Sequence, residues 1–304
     1  MKIVIATRGS QLALWQAEHV KSELLKLDNS LEIELKTLKT KGDIILDTSL
    51  AKIGGKGLFV KEIENALLED EAHIAVHSMK DMPAEFPDGL ILPAIMERED
   101  PRDAFVSTKY KSIEDLPEGA VVGTSSLRRQ SQLLAQSKYE IKLLRGNVNT
   151  RLRKLDEGEY DAIVLACAGL IRLEFHDRIA DRFEVDQMIP SAGQGAVGVQ
   201  CRSKDAEIVK LVEKLNCPKT SAAVHAEREF NAIVGGSCQI PAGCHVTVDE
   251  DRFKIRGFIS EMDGSEIFKD EFEGSLSDLP GAGARLGRSL RDAGGAAIIQ
   301  KILS

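Results

Sequence analysis

VVGTSSLRRQ, residues 121–130, is the stretch on which the reading of the fold turns. Two valines enter it, a glycine and three hydroxyl residues turn the chain, and a segment carrying Arg128 and Arg129 leaves it with helical character. A strand handing over to a helix through a short polar turn is the repeating step of an α/β sheet. The first N–H groups of such a helix lack intrahelical partners and carry partial positive charge. Thr124, Ser125 and Ser126 add hydroxyl donors at that point and the guanidiniums add forked ones, so the stretch reads as an anion site. LLRGNVNTRLRK, residues 143–154, repeats the pattern, running from apolar residues through Arg145 and Gly146 into a helix that bears Arg151 and Arg153. A single copy fits an ordinary capped helix with solvated arginines equally well. Two copies in tandem favour binding.

Outward from this centre the same alternation continues. Residues 3–6 read as a strand, followed by a helix whose Ala13, Ala17, Val20, Leu24 and Leu27 share one 3.6-period face, and Leu31, Ile33 and Leu35 alternate as a strand does. A helix is expected near residues 58–68. Short apolar strands follow around 73–77, 90–95, 104–106, 120–122, 141–144 and 162–166. EREDPRD (97–103) splits two apolar strands as a domain crossing would, IPSAG (189–193) marks a crossing back, and Asn216-Cys217-Pro218 marks a third boundary. The expected organisation is a first α/β domain from 1–98 and 196–215, a second, anion-binding α/β domain from 99–195, and a small α+β domain from 216–304. The last holds a helix ending near Gly235, a strand region at Phe253 and Ile255, and an arginine-bearing C-terminal helix.

The 304 residues are 43% hydrophobic and 29% charged, with a formal net charge of −8. That composition suits a globular protein of two or three domains and argues against sequence-independent nucleic-acid binding, so the arginine clusters point to a small polyanion. MKIVIATRGS has too few consecutive apolar residues for a secretory core, and the longest apolar run, 162–171, is far short of a membrane span. Cytoplasmic location with neither membrane nor nucleic-acid partner is expected. The five cysteines (167, 201, 217, 238 and 244) are odd in number and irregularly spaced, which suits reduced thiols rather than a disulfide framework.

Four further motifs take their meaning from context. Residues 193–198, GQGAVG, match the dinucleotide fingerprint literally, but they follow Ile189-Pro190 and run into a strand-like segment, the reverse of the order that fingerprint needs. GGKGLF, 54–59, lacks the P-loop ending and reads instead as a glycine-rich loop bringing Lys52 and Lys56 to a ligand. VHSMKDMP, 76–83, ends an apolar strand with Ser78, Lys80 and Asp81, and strand alternation would set Ser78 and Lys80 on one side. A carboxylate there can hold a cationic intermediate or move a proton, whereas a surface Lys80–Asp81 pair is the plainer alternative. VGGSCQIPAGC, 234–244, sets Cys238 behind two glycines and a serine, as an exposed nucleophile or attachment point requires. A zinc site from Cys217, His225, Cys238 and Cys244 lacks the paired close spacing of structural zinc sites.

The segments ATRGSQLALWQA (6–17), TKGDIILDTSLAKIGGKGLFVKE (40–62), IAVHSMKDMP (74–83), EREDPRDAF (97–105), VGTSSLRRQ (122–130), LRGNVNTRL (144–152), GEYDAIVLACAGL (158–170), GQGAVG (193–198) and CQIP (238–241) together resemble the porphobilinogen deaminase (hydroxymethylbilane synthase) family. The resemblance covers nearly the whole chain. It implies three domains, the first two like a periplasmic-binding-protein pair closing over a cleft. It also implies a dipyrromethane cofactor in thioether linkage to Cys238, and porphobilinogen as the substrate. Four porphobilinogen units would be condensed on that primer, with loss of ammonia each time, and hydrolysis would free hydroxymethylbilane. Arg8, Ser10, Lys52, Lys56, Ser78, Thr124, Ser125, Ser126, Arg128, Arg129, Arg145, Arg151 and Arg172 match positions that grip the acetate and propionate side chains, and Lys80, Gly146 and Gln194 fall in matched binding segments. Asp81 matches the catalytic aspartate, beside the cationic azafulvene-like and pyrrolenine species the chemistry passes through. A monomer without metal is expected. Ser237 departs from the glycine that commonly precedes the cysteine, and Cys244 offers a rival attachment site. A non-catalytic polyanion-binding protein would share the arginine helices but give no role to Cys238 or Asp81; a zinc-dependent hydrolase is a third alternative.

Overall fold

The computed structural model describes residues 1–40, 60–235 and 239–304. In chain order its first elements are β1 (Lys2–Arg8), α1 (Gln11–Leu27), β2 (Glu32–Leu38), α2 (Lys61–Leu68), β3 (Ile74–Ser78) and β4 (Leu90–Ile95). There follow β5 (Asp103–Val106), β6 (Val121–Gly123), α3 (Leu127–Leu134), β7 (Glu140–Lys142), α4 (Val148–Asp156), β8 (Ala162–Ala166), α5 (Cys167–Arg172) and β9 (Asp181–Arg182). The rest of the chain forms β10 (Val197–Arg202), α6 (Ala206–Glu213), α7 (Pro218–Val234), β11 (Ala242–Asp249), β12 (Arg252–Ser260), β13 (Ile267–Ser275), α8 (Ala282–Leu290) and α9 (Ala296–Leu303). The residues cluster in two compact units: one holds the described residues up to Glu99 with Gly195–Ser221, the other Asp100–Gln194 with the described part of Ala222–Ser304.

The first unit is built on a sheet of order β2-β1-β3-β10-β4. β1 runs parallel to β2 and β3, whereas β10 is antiparallel to β3 and β4. Alternation along β1 divides its residues between two cores. Ile3 and Ile5 pack with Val20 and Leu24 of α1 and with Ile74, Val76 and Val199, while Ala6 packs on the opposite face with Ile63 and Leu67 of α2 and with Ala75. Each aliphatic side chain so buried stabilises the sheet by about 1.5–3 kcal/mol. Helices on both faces leave the carboxyl ends of β1 and β3 as the open edge where functional side chains can gather.

In the second unit the sheet β7-β6-β8-β5-β9 repeats that plan, with β6 parallel to β7 and β8, and β5 antiparallel to β8. Leu152, Leu155, Ile163 and Leu165 fill one face, Phe105, Val122, Leu133 and Val164 the other. The same unit contains the antiparallel meander β11-β12-β13. Phe230 of α7, Leu286 and Leu290 of α8 and Ile298 of α9 cover it, packed against Val246, Phe253, Ile255 and Ile259. Mixed α/β architecture with a small C-terminal α+β portion is what the alternation of elements predicts.

Local departures have local causes. Alternation does not carry on to Lys80, because β3 stops at Ser78 and Met79–Asp81 form one 3₁₀ turn. Met79 is drawn into the core instead, with its N–H on the Ala196 carbonyl at 3.0 Å. The apolar run 162–171 is two elements, β8 and α5. β11 and β13 carry no assignment from sequence; β13 is half-exposed along its length and lacks a continuous apolar side. GQGAVG is a turn into β10: Gly195 has φ +88, and a Cβ there would lie 2.4 Å from the Glu99 carbonyl oxygen.

Candidate active site

At the open edge of the first unit, Arg8 ends β1 and Ser10 caps α1, its hydroxyl accepting the Ala13 N–H at 3.3 Å. β3 lies beside β1 in parallel register, Ile5 against Ile74 and Ala6 against Ala75, which brings Ser78, Lys80 and Asp81 to the same edge. Ser78 Oγ accepts from Gln16 Nε2 at 2.9 Å, so the base of the edge is tied to α1. His77 is buried, with Nε2 3.1 Å from Gln200 Oε1, and Gln200 Nε2 donates to Glu64 Oε1 at 3.0 Å. Burial pushes His77 down to about 4, outweighing the Gln200 contact, and nearby Arg8 lowers it further. His77 is therefore a neutral support, and burial likewise raises Glu64. Asp81 is exposed and makes no hydrogen bond or ion pair among the described residues, so the Lys80–Asp81 surface pair is not formed.

In the second unit the candidates again lie at the carboxyl ends of parallel strands. Thr124 follows β6 and is 3% exposed, with Oγ1 accepting the Ser126 N–H at 3.1 Å; Ser125 and Ser126 are half-buried. Ser126 stands at the N-cap of α3 but its hydroxyl caps nothing, and among the described residues the N–H groups of Leu127, Arg128 and Arg129 meet no acceptor. The start of α3 is thus an open donor cluster. Arg145 and Gly146 follow β7, and Arg172 ends α5 after β8; both arginines are buried. Gly146 adopts φ +116, where a side chain would be strained and a Cβ would meet Thr150 at 2.7 Å. α4 differs from α3 because Asn147 caps it, accepting the Thr150 N–H at 2.9 Å. Arg151 Nε bonds the Gly146 carbonyl at 2.8 Å, and Arg153 is exposed against Glu157.

The α3 arginines are neither solvated nor free to swing. Arg129 donates through Nε (3.0 Å) and Nη2 (2.7 Å) to Asp103 Oδ1 and through Nη1 to the Val164 carbonyl (2.9 Å). Arg128 donates through Nε to Ser191 Oγ (2.9 Å) and through Nη1 to the Ile189 carbonyl (2.8 Å), with Nη1 also 2.7 Å from Asp103 Oδ2. Gln194, 1% exposed, donates from Nε2 to the Pro101 carbonyl at 2.7 Å and to Asp103 Oδ1 at 3.0 Å. Burial alone would raise Asp103, but Arg128, Arg129 and Gln194 together hold its carboxyl well below the usual carboxylate range. Asp103 escapes a sequence reading; the one signal is a carboxylate opening the otherwise apolar strand DAFV. Glu227, 0% exposed, is a second such residue. It accepts the N–H groups of Gly193 (2.6 Å) and Val246 (2.8 Å), fixing the segment that carries Gln194.

Lys52, Lys56 and Cys238 lie outside the described residues. Cys244 is 0% exposed inside the C-terminal core, its N–H on the Pro190 carbonyl, so its thiol is not open for attachment. Cys167, Cys201, Cys217 and Cys244 form no disulfide. Among the described residues no group of three or more His, Cys, Asp or Glu side chains assembles as a metal site, and no helix is long and apolar enough to cross a membrane.

The dipyrromethane group that the resemblance implies can be judged against this donor set. Open helix N–H groups, the Thr124 hydroxyl and guanidiniums at one sheet edge offer donors where acetate and propionate side chains need them, so the residues fit. The family model described as "Porphobilinogen deaminase, dipyromethane cofactor binding domain" matches residues 3–210, and that described as "Porphobilinogen deaminase, C-terminal domain" matches residues 221–292. Among solved structures, a nutrient-binding protein from Burkholderia cenocepacia bound to methionine is similar at 14% identity, with 72% of this chain and 93% of that chain covered and a TM-score of 0.44. The methionine-binding protein MetQ is similar at 16% identity, covering 77% and 96%, with a TM-score of 0.45. A periplasmic substrate-binding protein of an ABC transporter from Coxiella burnetii is similar at 14%, covering 72% and 94%, with a TM-score of 0.43.

Proposed function

The chain belongs to the porphobilinogen deaminase family, and from that premise we propose how its own residues carry the family's reaction. The activity is that of a hydroxymethylbilane synthase, a transferase of tetrapyrrole biosynthesis: four porphobilinogen molecules are condensed, with loss of ammonia, on a dipyrromethane primer. When bound, dipyrromethane supplies the pyrrole carbon on which the first unit is joined. Cys238 is the proposed point of attachment; its place behind Gly235 and Gly236 supports this, as does the burial of Cys244. The observation that carries the catalytic assignment is Asp81, an exposed carboxylate with no ion pair among the described residues, in the turn that follows β3 and Ser78 at the edge where the neighbouring β1 ends in Arg8.

In this reading Asp81 stabilises the positive charge that develops on porphobilinogen as ammonia leaves and accepts the proton released on condensation. His77, buried in β3 ahead of that turn, stays neutral and adds no competing charge. Arg128, Arg129, Arg145, Arg151, Arg172 and Arg8, with Ser10, Ser78, Thr124, Ser125, Ser126, Lys80 and Gln194, bind and orient the carboxylates, assisted by Lys52 and Lys56. Gly146 lets the backbone approach them. The three sheets, each with its own core, support a three-domain division in which 99–195 binds anions and 216–304 carries the cofactor cysteine. We read the enzyme as a cytoplasmic monomer on its composition and reduced cysteines. Intact mass tests the attachment. Protein made in cells that produce porphobilinogen should exceed its sequence mass by two linked pyrrole units; Cys238→Ser should lose the increment and Cys244→Ser keep it. A mass equal to the sequence mass defeats the covalent reading.

A further inference from the structure

Asp103 is wholly buried between two guanidiniums, and the charges there do not cancel. Two arginines and one carboxylate leave one positive charge at the start of α3. The donors are equally unbalanced. Three of the five N–H donors of Arg129 serve protein acceptors, Asp103 through Nε and Nη2 and the Val164 carbonyl through Nη1. Arg128 commits Nε and Nη1, and its Nη2 makes no hydrogen bond among the described residues. The N–H groups at the start of the same helix, α3, are likewise left uncapped by Ser126.

We infer that Asp103 is a specificity-determining positioning residue: an internal counter-anion that sets the α3 site to take one singly charged carboxylate and to refuse a dianion such as inorganic phosphate. This deepens the carboxylate-binding role proposed for Arg128 and Arg129 and rests on it. A buried site pays heavily for uncompensated charge of either sign. One carboxylate brings the arginine–aspartate–arginine cluster to neutrality, whereas a dianion leaves a buried negative excess beside Asp103. Without Asp103 the cluster holds two uncompensated cations, and its preference should turn to dianions. Asp103 touches no reacting atom, so the effect runs through the arginines it holds.

The test uses the full chain made in cells unable to produce porphobilinogen, so that the site carries no primer. Thermal unfolding is followed in chloride, acetate and inorganic phosphate at matched ionic strength and slightly alkaline pH. The parent should be stabilised by acetate over chloride, and by phosphate no more than by acetate. Asp103→Asn should unfold earlier in chloride and regain about 3 °C or more specifically in phosphate, as expected for a ligand well above its Kd. An Asp103→Asn protein whose response to phosphate equals the parent's overturns the inference. Should Asp103→Asn fail to fold without phosphate, the double variant Asp103→Asn/Arg129→Gln decides, because it restores a single positive charge. It should fold and ignore phosphate as the parent does, and a double variant as dependent on phosphate as Asp103→Asn overturns the inference. A parent that shows no response to acetate overturns the carboxylate-binding reading itself, and the two failures are thereby told apart.

Discussion

Two aspartates stand at the carboxyl edges of the two large sheets, and the protein treats them in opposite ways. Asp81, in the turn after β3, is exposed and makes no ion pair among the described residues. Asp103, opening β5 opposite the end of β8, is 0% exposed and held by Arg128, Arg129 and Gln194. The difference separates two uses of one functional group. A carboxylate that must meet a transient positive charge is kept uncommitted, whereas one whose partners are permanent is buried with them, and its value lies in holding them still.

The largest structural effect expected from breaking this contrast falls on the buried side. Arg129→Leu removes three donors and leaves Asp103 under-compensated in the interior, so urea unfolding should show a loss of about 3 kcal/mol. A loss below about 1 kcal/mol would place Arg129 with exposed pairs and remove the contrast. Of comparable size is the pH dependence set by His77, buried in β3. Its folded value of about 4 lies below the unfolded 6.5, so the unfolded chain binds the proton first. Stability from the neutral imidazole is fully present above pH 6.5 and is lost as pH falls toward 4, by about 1.4 kcal/mol per pH unit. The raised Glu64 works in the opposite sense, its contribution lost as pH rises. His77→Gln should flatten the acid side of the profile measured by urea unfolding; an unchanged slope would show that His77 is not the group responsible.

Smaller effects sharpen the account. Arg128→Lys keeps the charge but loses the fork that reaches Ser191 and Ile189 together, and steady-state kinetics should show kcat/KM for porphobilinogen lowered about tenfold. Arg153→Gln probes the contrasting arginine of α4, whose pair with Glu157 is exposed on both sides. Its stability should change by less than about 0.5 kcal/mol with turnover unchanged. A large kinetic effect there would mean that the second arginine helix binds ligand along a face now assigned to solvent.

Much of this arrangement is written locally in the chain. VVGTSSLRRQ yields its strand, turn and helix because each depends on residues within a few positions. Asp81 is legible for a similar reason, as a carboxylate just beyond an apolar strand. Asp103 is not, because the pairing with Arg129 spans 26 residues and exists only once β5 lies antiparallel to β8. Ser126 looks like a helix cap by type, yet its hydroxyl makes no cap bond, a matter of side-chain rotation that composition does not encode. Cys244 reads as a plausible thiol until β11 turns it into the C-terminal core.

The contrast is tested most directly by the rate of ammonia release from porphobilinogen by Asp81→Asn, measured on protein whose intact mass shows the primer in place and whose thermal midpoint matches the parent's. The substitution keeps the shape and removes the charge at a site where no ion pair is lost among the described residues. The account predicts an unaltered midpoint with a rate lowered by about 10² to 10³. A rate within about threefold of the parent, which corresponds to well under 1 kcal/mol of barrier, would contradict it.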